Sequence, residues 1–390
     1  MPKEKLCLNT KIATFYLVLM CIHMHYFEGG NISPIKVVAM SVAPLIWLAR
    51  CAYFSKAVIF GVLYWLSCFL SAYLHPGFRF STLAYSGMYI ATFILFYNLL
   101  YKGAFTLEYF IKLVRWLILA YAGCLVLQQC CLLVGIRFMP LINLDNQFYL
   151  SIHKLPSLSH EPSSSARIMG ALFYAYFKCN QYKRGSSIPF KQWFTSEHKW
   201  VTIGFLWAML TMGSGTAYIV LALLSLLFLR RKYISVVIPF FVAIFFAAPY
   251  MENENLNRAT SVAQAAMTGD TQNVVDVDGS AAVRVLPLLN TINNFDVTKL
   301  ETWFGSGTDS ALEGGALSNK RMVGCINDYG LISYIFSLCL VFCCSIKVTS
   351  VPFIIFIIVL GAGIGNIAYS WAVIMLFATQ FYFARKYTRR

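Results

Sequence analysis

Residues 157–167, Ser-Leu-Ser-His160-Glu161-Pro162-Ser163-Ser-Ser-Ala166-Arg167, place an imidazole, a carboxylate, several hydroxyls and a guanidinium in one short run. A proline followed by serines suits the start of a helix, where hydroxyl oxygens can accept from unbonded backbone N–H groups. With Arg167 just inside it, such an N-terminus is a ready site for an anion. His160 and Glu161 have the chemistry of a base or of a group that orients a substrate hydroxyl. The same residues also read as a helix cap at a membrane boundary. Residue types alone leave both readings open.

A second set of candidates lies further along. Arg284 sits in a mildly amphipathic segment, Gly279-Ser-Ala-Ala-Val-Arg284-Val-Leu-Pro287, and Arg258 and Arg321 flank it in the same polar stretch. Arginine presents a fixed fork of donors matched to phosphate oxygens and keeps its charge. A lone arginine among acids also serves as an ion-pair partner. The turns Gly305-Ser-Gly307-Thr and Gly213-Ser214-Gly215-Thr can bring backbone donors near an anion. Tight turns account for them equally well.

The elements that must position these residues are membrane helices. Hydrophobic residues make up 59% of the 390-residue chain and charged residues 12%, against about 25% charged in soluble domains. Continuous apolar runs without polar alternation indicate helices rather than a barrel wall. About twelve spans are expected, over 12–27, 35–49, 57–74, 82–100, 110–135, 166–177, 200–212, 216–229, 234–249, 326–346, 351–365 and 367–384. The sixth, 166–177, is short for a bilayer about 30 Å thick. The predicted organisation is an all-α polytopic bundle. Residues 1–250 hold nine spans and an outer loop over 137–165, 251–325 form one large extracytoplasmic loop, and 326–390 hold the last three spans and a basic tail.

Charge orients this arrangement. With both termini cytoplasmic, the inner segments collect 21 of the 31 Lys and Arg residues, as the positive-inside rule requires. The loop over 251–325 then falls outside, with nine acids and five bases, a net charge of −4 in a chain of +15. The His75-Pro-Gly-Phe-Arg79 corner, the 137–165 loop and the Gly213 turn fall on the same side.

Several function classes recede. The basic excess belongs to topology and anionic lipid rather than to nucleic acid. The twelve cysteines lie mostly within apolar spans and make no disulfide framework. No CxxC or His/Cys/Asp cluster suggests a metal, and no cofactor is expected. No charged residue falls at the centre of a span, which argues against an ion-coupled transporter.

In Glu161-Pro162-Ser163 at the head of a span, Gly213-Ser-Gly-Thr216, a large outer loop holding Arg284 and Trp303-Phe304-Gly305-Ser-Gly307, and Asn327-Asp328-Tyr329-Gly330-Leu331-Ile332, the chain resembles O-antigen polymerases (Wzy-type) of the O-antigen ligase/polymerase superfamily. The resemblance implies a GT-C-like membrane glycosyltransferase of a bacterial inner membrane. Its implied partners are an undecaprenyl-diphosphate-linked oligosaccharide, membrane lipid and a chain-length regulator protein. It implies metal-independent transfer, with Arg284, backed by Arg167, Arg258 and Arg321, on the diphosphates. Glu161 and His160 would orient or deprotonate the acceptor, and Gly305, Gly307 and Ser214 would line the substrate site. A sibling alternative is the ligase that transfers glycan to lipid A-core. Ligases usually carry a loop histidine, and all six histidines here lie outside 251–325. A lipid-linked oligosaccharide flippase or transporter is the alternative from another class.

Overall fold

The computed structural model describes residues 7–23, 33–75, 80–144, 154–225, 291, 295–307, 324–347, 364–365 and 367–387. Among them the chain is helical, with no strand beyond one isolated bridge between Met139 and Leu144. The helices are α1 (Leu8–Cys21), α2 (Pro34–Cys51), α3 (Lys56–Tyr73), α4 (Phe80–Tyr101) and α5 (Leu107–Leu133). A 3-10 turn at Pro140–Ile142 precedes α6 (Pro162–Arg184), α7 (Phe190–Thr195), α8 (Lys199–Thr211) and α9 (Gly215–Ser225). Last come α10 (Leu300–Phe304), α11 (Gly324–Cys344) and α12 (Ala368–Tyr387). Helices coincide with ten of the expected spans. Those over 234–249 and, apart from 364–365, 351–365 lie outside the described residues.

Among the described residues, five helices are long and apolar enough to cross a bilayer: α2, α3, α4, α5 and the Ile326–Cys344 part of α11. Their outward faces carry large apolar side chains such as Val38, Leu45, Leu48, Leu66 and Trp116. Such a surface belongs in lipid. This is a multi-pass membrane protein.

The helix ends follow local chemistry. Ser55 and Thr106 cap α3 and α5, their hydroxyl oxygens accepting from the amides of Val58 (3.4 Å) and Tyr109 (3.2 Å). Helix α6 ends with Lys183 and Arg184 in its last turn and Gly185 at φ +71 beyond it, which suits the helix dipole and the left-handed terminus. At that end of the bundle, Lys102 Nζ donates to the Arg50 carbonyl (2.8 Å) and Asn98 donates to the carbonyls of Cys51 and Tyr53 (3.0 Å each). Lys183 pairs with Glu108 at 3.2 Å. The basic residues of several helix ends thus gather together.

The opposite end gathers the loops. His23 N–H donates to the Leu158 carbonyl (2.8 Å), and Leu155 N–H to that of Met212 (3.2 Å). The 155–161 segment therefore joins the end of α1 to the turn before α9.

Helix α6 departs most from the short sixth span. It runs 23 residues, and 17 of them are buried. It packs against α5, α9 and α12, so closely to α9 that a Cβ on Gly170 would overlap Val220. Being surrounded by protein rather than lipid, it needs no apolar exterior. Its serines, Arg167, Lys178 and Asn180 shorten the apolar run visible in the sequence while leaving the helix intact.

Candidate functional site

The 155–161 segment rests on a frame of buried polar side chains. Ser157 adopts a left-handed backbone (φ +54), and its N–H donates to Gln128 Oε1 at 3.0 Å. Gln128 Nε2 donates to the carbonyls of Ile142 and Ser157, and Ser157 Oγ donates to the Tyr121 carbonyl at 2.7 Å. Asn143, also left-handed at φ +55, donates through Nδ2 to the carbonyls of His23, Ser157 (3.0 Å) and Ser159 (3.2 Å). Tyr121 OH donates to the Cys21 carbonyl. Irregular backbone at the mouth of a membrane bundle needs such partners, because lipid offers none.

On this frame α6 begins. Glu161 is its N-cap in extended geometry, with no side-chain cap bond, and Pro162 follows at the first helical position. The serine hydroxyls act as donors rather than capping acceptors: Ser163 Oγ donates to Glu161 Oε2 at 3.1 Å, and Ser165 Oγ to the Pro156 carbonyl. The expected hydroxyl cap is therefore absent at Glu161. The carboxylate stays exposed with one hydroxyl on it. His160 lies beside it in sequence, its ring 5.4 Å from that of His23 and tilted by 59°.

Arg167 stands one turn beyond Ser163 on the same helical face. Its Nη1 donates to the Tyr369 hydroxyl at the start of α12, and its guanidinium carbon lies 4.9 Å from the centre of that ring. Its Nε is buried and makes no hydrogen bond. One tyrosine thus holds the guanidinium in place while a donor stays unused. Carboxylate, hydroxyl and guanidinium follow one another from Glu161 to Arg167.

A second grouping joins α10 to α3 and α11. Helix α11 breaks at Gly330, whose φ 83 and ψ 173 suit glycine alone. Ser306 N–H donates to the Asn327 carbonyl at 2.8 Å, and Ser71 Oγ donates to the carbonyl of Phe304. His75 Nδ1 lies 2.7 Å from the Ser71 carbonyl. A carbonyl only accepts, so Nδ1 carries the proton and Nε2 is the acceptor of the neutral ring. The His75 ring lies against Gly307. Nearby, the Thr298 hydroxyl and amide hold the exposed Asp296 carboxyl below its usual range, helped by Lys299.

The predicted site residues fall into four groups, three of them among the described residues. Glu161, His160 and Arg167 all lie at the start of α6, with the Arg167 guanidinium turned to Tyr369 and the His160 ring to His23. Gly305 and Gly307 form the α10 turn, but the amides of Gly305 and Ser306 are committed to the carbonyls of Glu301 and Asn327. This turn docks the loop, and those two amides are not open to an anion. Ser214 is buried where α9 starts, its carbonyl accepting from Ala217 N–H at 2.9 Å. Arg284, Arg258 and Arg321 lie outside the described residues. His75 belongs to the outer corner marked by the sequence, whereas Tyr369, Gln128, Asn143 and Ser71 carry no sequence signal of a site. Each is an ordinary residue near a helix end or in a span, and only its distant partner marks it. Among the described residues no cluster of three or more His, Cys, Asp and Glu side chains suits a metal ion.

No protein-family model matches the chain, and neither a curated protein nor a solved structure does.

Proposed function

We propose that this protein polymerises lipid-linked oligosaccharide repeat units at the outer face of a bacterial inner membrane, as a metal-independent glycosyltransferase. The observation that carries the reading is Arg167, held by Tyr369 near the N-terminus of α6 with a buried, unused Nε donor. A guanidinium and a positive helix end favour a phosphate anion. In the reaction, an acceptor sugar hydroxyl attacks the anomeric carbon of the donor glycan. The carbon–oxygen bond to the diphosphate breaks, and the lipid diphosphate leaves with that electron pair.

Fixed donors lower such a barrier by meeting charge as it develops. Arg167 takes that role on the donor diphosphate, and Arg284, with Arg258 and Arg321, is assigned to phosphates held by the outer loop. Glu161, exposed and oriented through Ser163, receives the hydroxyl proton, and His160 is the second candidate. Undecaprenyl diphosphate is the carrier that the family resemblance implies.

Gel analysis of surface glycan from a gene-deletion strain tests the reading. A ladder collapsed to single repeat units is expected. Normal chain lengths would overturn it, and loss of all surface glycan would favour a ligase or flippase.

A further inference from the structure

We propose that the turn over 133–141, at the loop end of α5, is seated in the interface of the adjoining membrane leaflet and ties the frame beneath the 155–161 segment to lipid. Leu133, Val134 and Leu141 are 87%, 73% and 72% exposed, and Ile136, Phe138 and Met139 are exposed as well. Six large apolar side chains within nine residues form a patch, unlike the scattered apolar residues of a water-facing loop.

Helix α5 fixes the depth of the turn. It starts at the basic end, where Glu108 pairs with Lys183. After Lys112 and Arg115 no charged residue follows until Arg137. Trp116, Ala120, Gly123, Leu127, Cys130 and Val134 are exposed at steps of three or four residues, one helical stripe that faces lipid. From Trp116 to Leu133 the stripe rises about 26 Å at 1.5 Å per residue. A hydrocarbon core is roughly 30 Å thick, so Leu133 stands near its far boundary. The turn carries the same stripe on into the headgroup layer. Lipid, rather than a partner protein, is its occupant because the patch continues a surface that already faces lipid.

The backbone of the turn suits that layer. The amides of Val134, Gly135 and Ile136 donate to the carbonyls of Cys130 (3.2 Å), Leu132 (3.1 Å) and Cys131 (2.8 Å), with Gly135 at φ +82 closing the helix. Met139 and Leu144 exchange N–H···O bonds of 2.8 and 3.2 Å, and Ile142 and Asn143 donate to the carbonyls of Met139 and Pro140 (3.1 Å each). A loop in water can leave such groups to solvent, whereas the edge of the lipid supplies few partners. Arg137, the one charge in the turn, has a long apolar stem that lets a guanidinium reach the phosphate layer.

The turn runs straight into the candidate site. Ile142, next to Leu141, gives its carbonyl to Gln128 Nε2, and the buried Asn143 holds the carbonyls of His23, Ser157 and Ser159. A turn held in lipid therefore steadies the segment that leads into α6. This seating is independent of the reaction proposed above.

Depth-resolved fluorescence quenching tests it. A fluorescent amino acid replaces Leu141 in the full chain, reconstituted without other proteins in vesicles of phosphatidylethanolamine and phosphatidylglycerol. Lipids carrying a nitroxide at the headgroup or high on the acyl chain should quench the probe strongly, and iodide in the buffer only weakly. Stronger quenching by iodide than by nitroxide lipid would overturn the proposal and leave the patch to a protein partner. A probe at Phe138 gives the same comparison should the Leu141 variant fail to fold. With the probe at Phe138, Leu133→Asp combined with Leu141→Asp should turn the quenching over to iodide and open the 154–161 segment to protease. An undigested segment beside an iodide-quenched probe would overturn the tie to the frame.

Discussion

A Cβ placed on Gly305 would stand 2.7 Å from the carbonyl oxygen of Asp328, and one on Gly330 would overlap the carbonyl of Trp303. The two glycines therefore let α10 and the broken start of α11 meet backbone to backbone. Both have positive φ, +80 and +83. Gly103, at φ +79, has open space around its Cβ position and gives the cost of a positive φ without a close approach, whereas Gly330, at φ 83 and ψ 173, adds a glycine-only backbone to its contact. That cost is about 1–2 kcal/mol for a left-handed residue. Gly330→Ala should lower the thermal unfolding midpoint of the detergent-solubilised protein clearly more than Gly103→Ala does. Equal shifts would mean that the α10–α11 contact yields without loss.

Gln128 offers a test of the frame beneath the α6 start. It accepts from Ser157 N–H and donates to the Ile142 and Ser157 carbonyls. Gln128→Leu keeps much of the bulk but leaves buried groups without partners, at about 1–3 kcal/mol each. The variant is expected to unfold at lower temperature and to expose the 154–161 segment to protease. An unchanged digestion pattern would show that the segment is held elsewhere.

Much of the bundle was legible because lipid-facing helices must be apolar. The run over 82–100 became α4 with its ends moved by two residues or fewer. The rule weakens where protein replaces lipid, and α6 shows why. Its first turn carries three serines and its last turn Lys183 and Arg184, so only its middle looked like a span. The candidate site was legible in part. Pro162 marked a helix start, and Arg167 followed from it. Tyr369 lies 202 residues away along the chain, and no local pattern links it to Arg167. The Gly305–Gly307 turn looked like a phosphate cradle because glycine spacing alone does not reveal which amides are already bonded.

His198 gives a pH dependence at the basic end. It is buried just before α8, with Nδ1 2.8 Å from Tyr176 OH and its ring 4.6 Å from that of Trp193. Burial lowers its pKa from the ordinary value, opposed by Glu197 and assisted by Arg115 and Arg184. The unfolded chain therefore takes up this proton first as pH falls. Its contribution to stability is full above about pH 6.5, the unperturbed histidine value, and declines as pH drops toward the folded pKa. The unfolding midpoint should fall across that window, and His198→Gln should flatten the slope. A slope unchanged in the variant would assign it to other groups.

Arg167 and Tyr369 separate charge from geometry at the proposed diphosphate site. Tyr369→Phe removes the hydroxyl that accepts from Nη1 but keeps the ring beneath the guanidinium. Arg167→Lys keeps the positive charge but loses the planar fork and the Nε donor. If Arg167 meets developing charge on the leaving diphosphate, Arg167→Lys should lower chain formation about a hundredfold, the lower end of the scale for one lost donor to such charge. Tyr369→Phe should lower it less, since the guanidinium keeps its ring contact. Glycan ladders from complemented deletion strains, normalised to protein in the membrane, give the comparison. Full-length ladders from Arg167→Lys at normal abundance would remove Arg167 from the reaction and leave it a structural pin between α6 and α12.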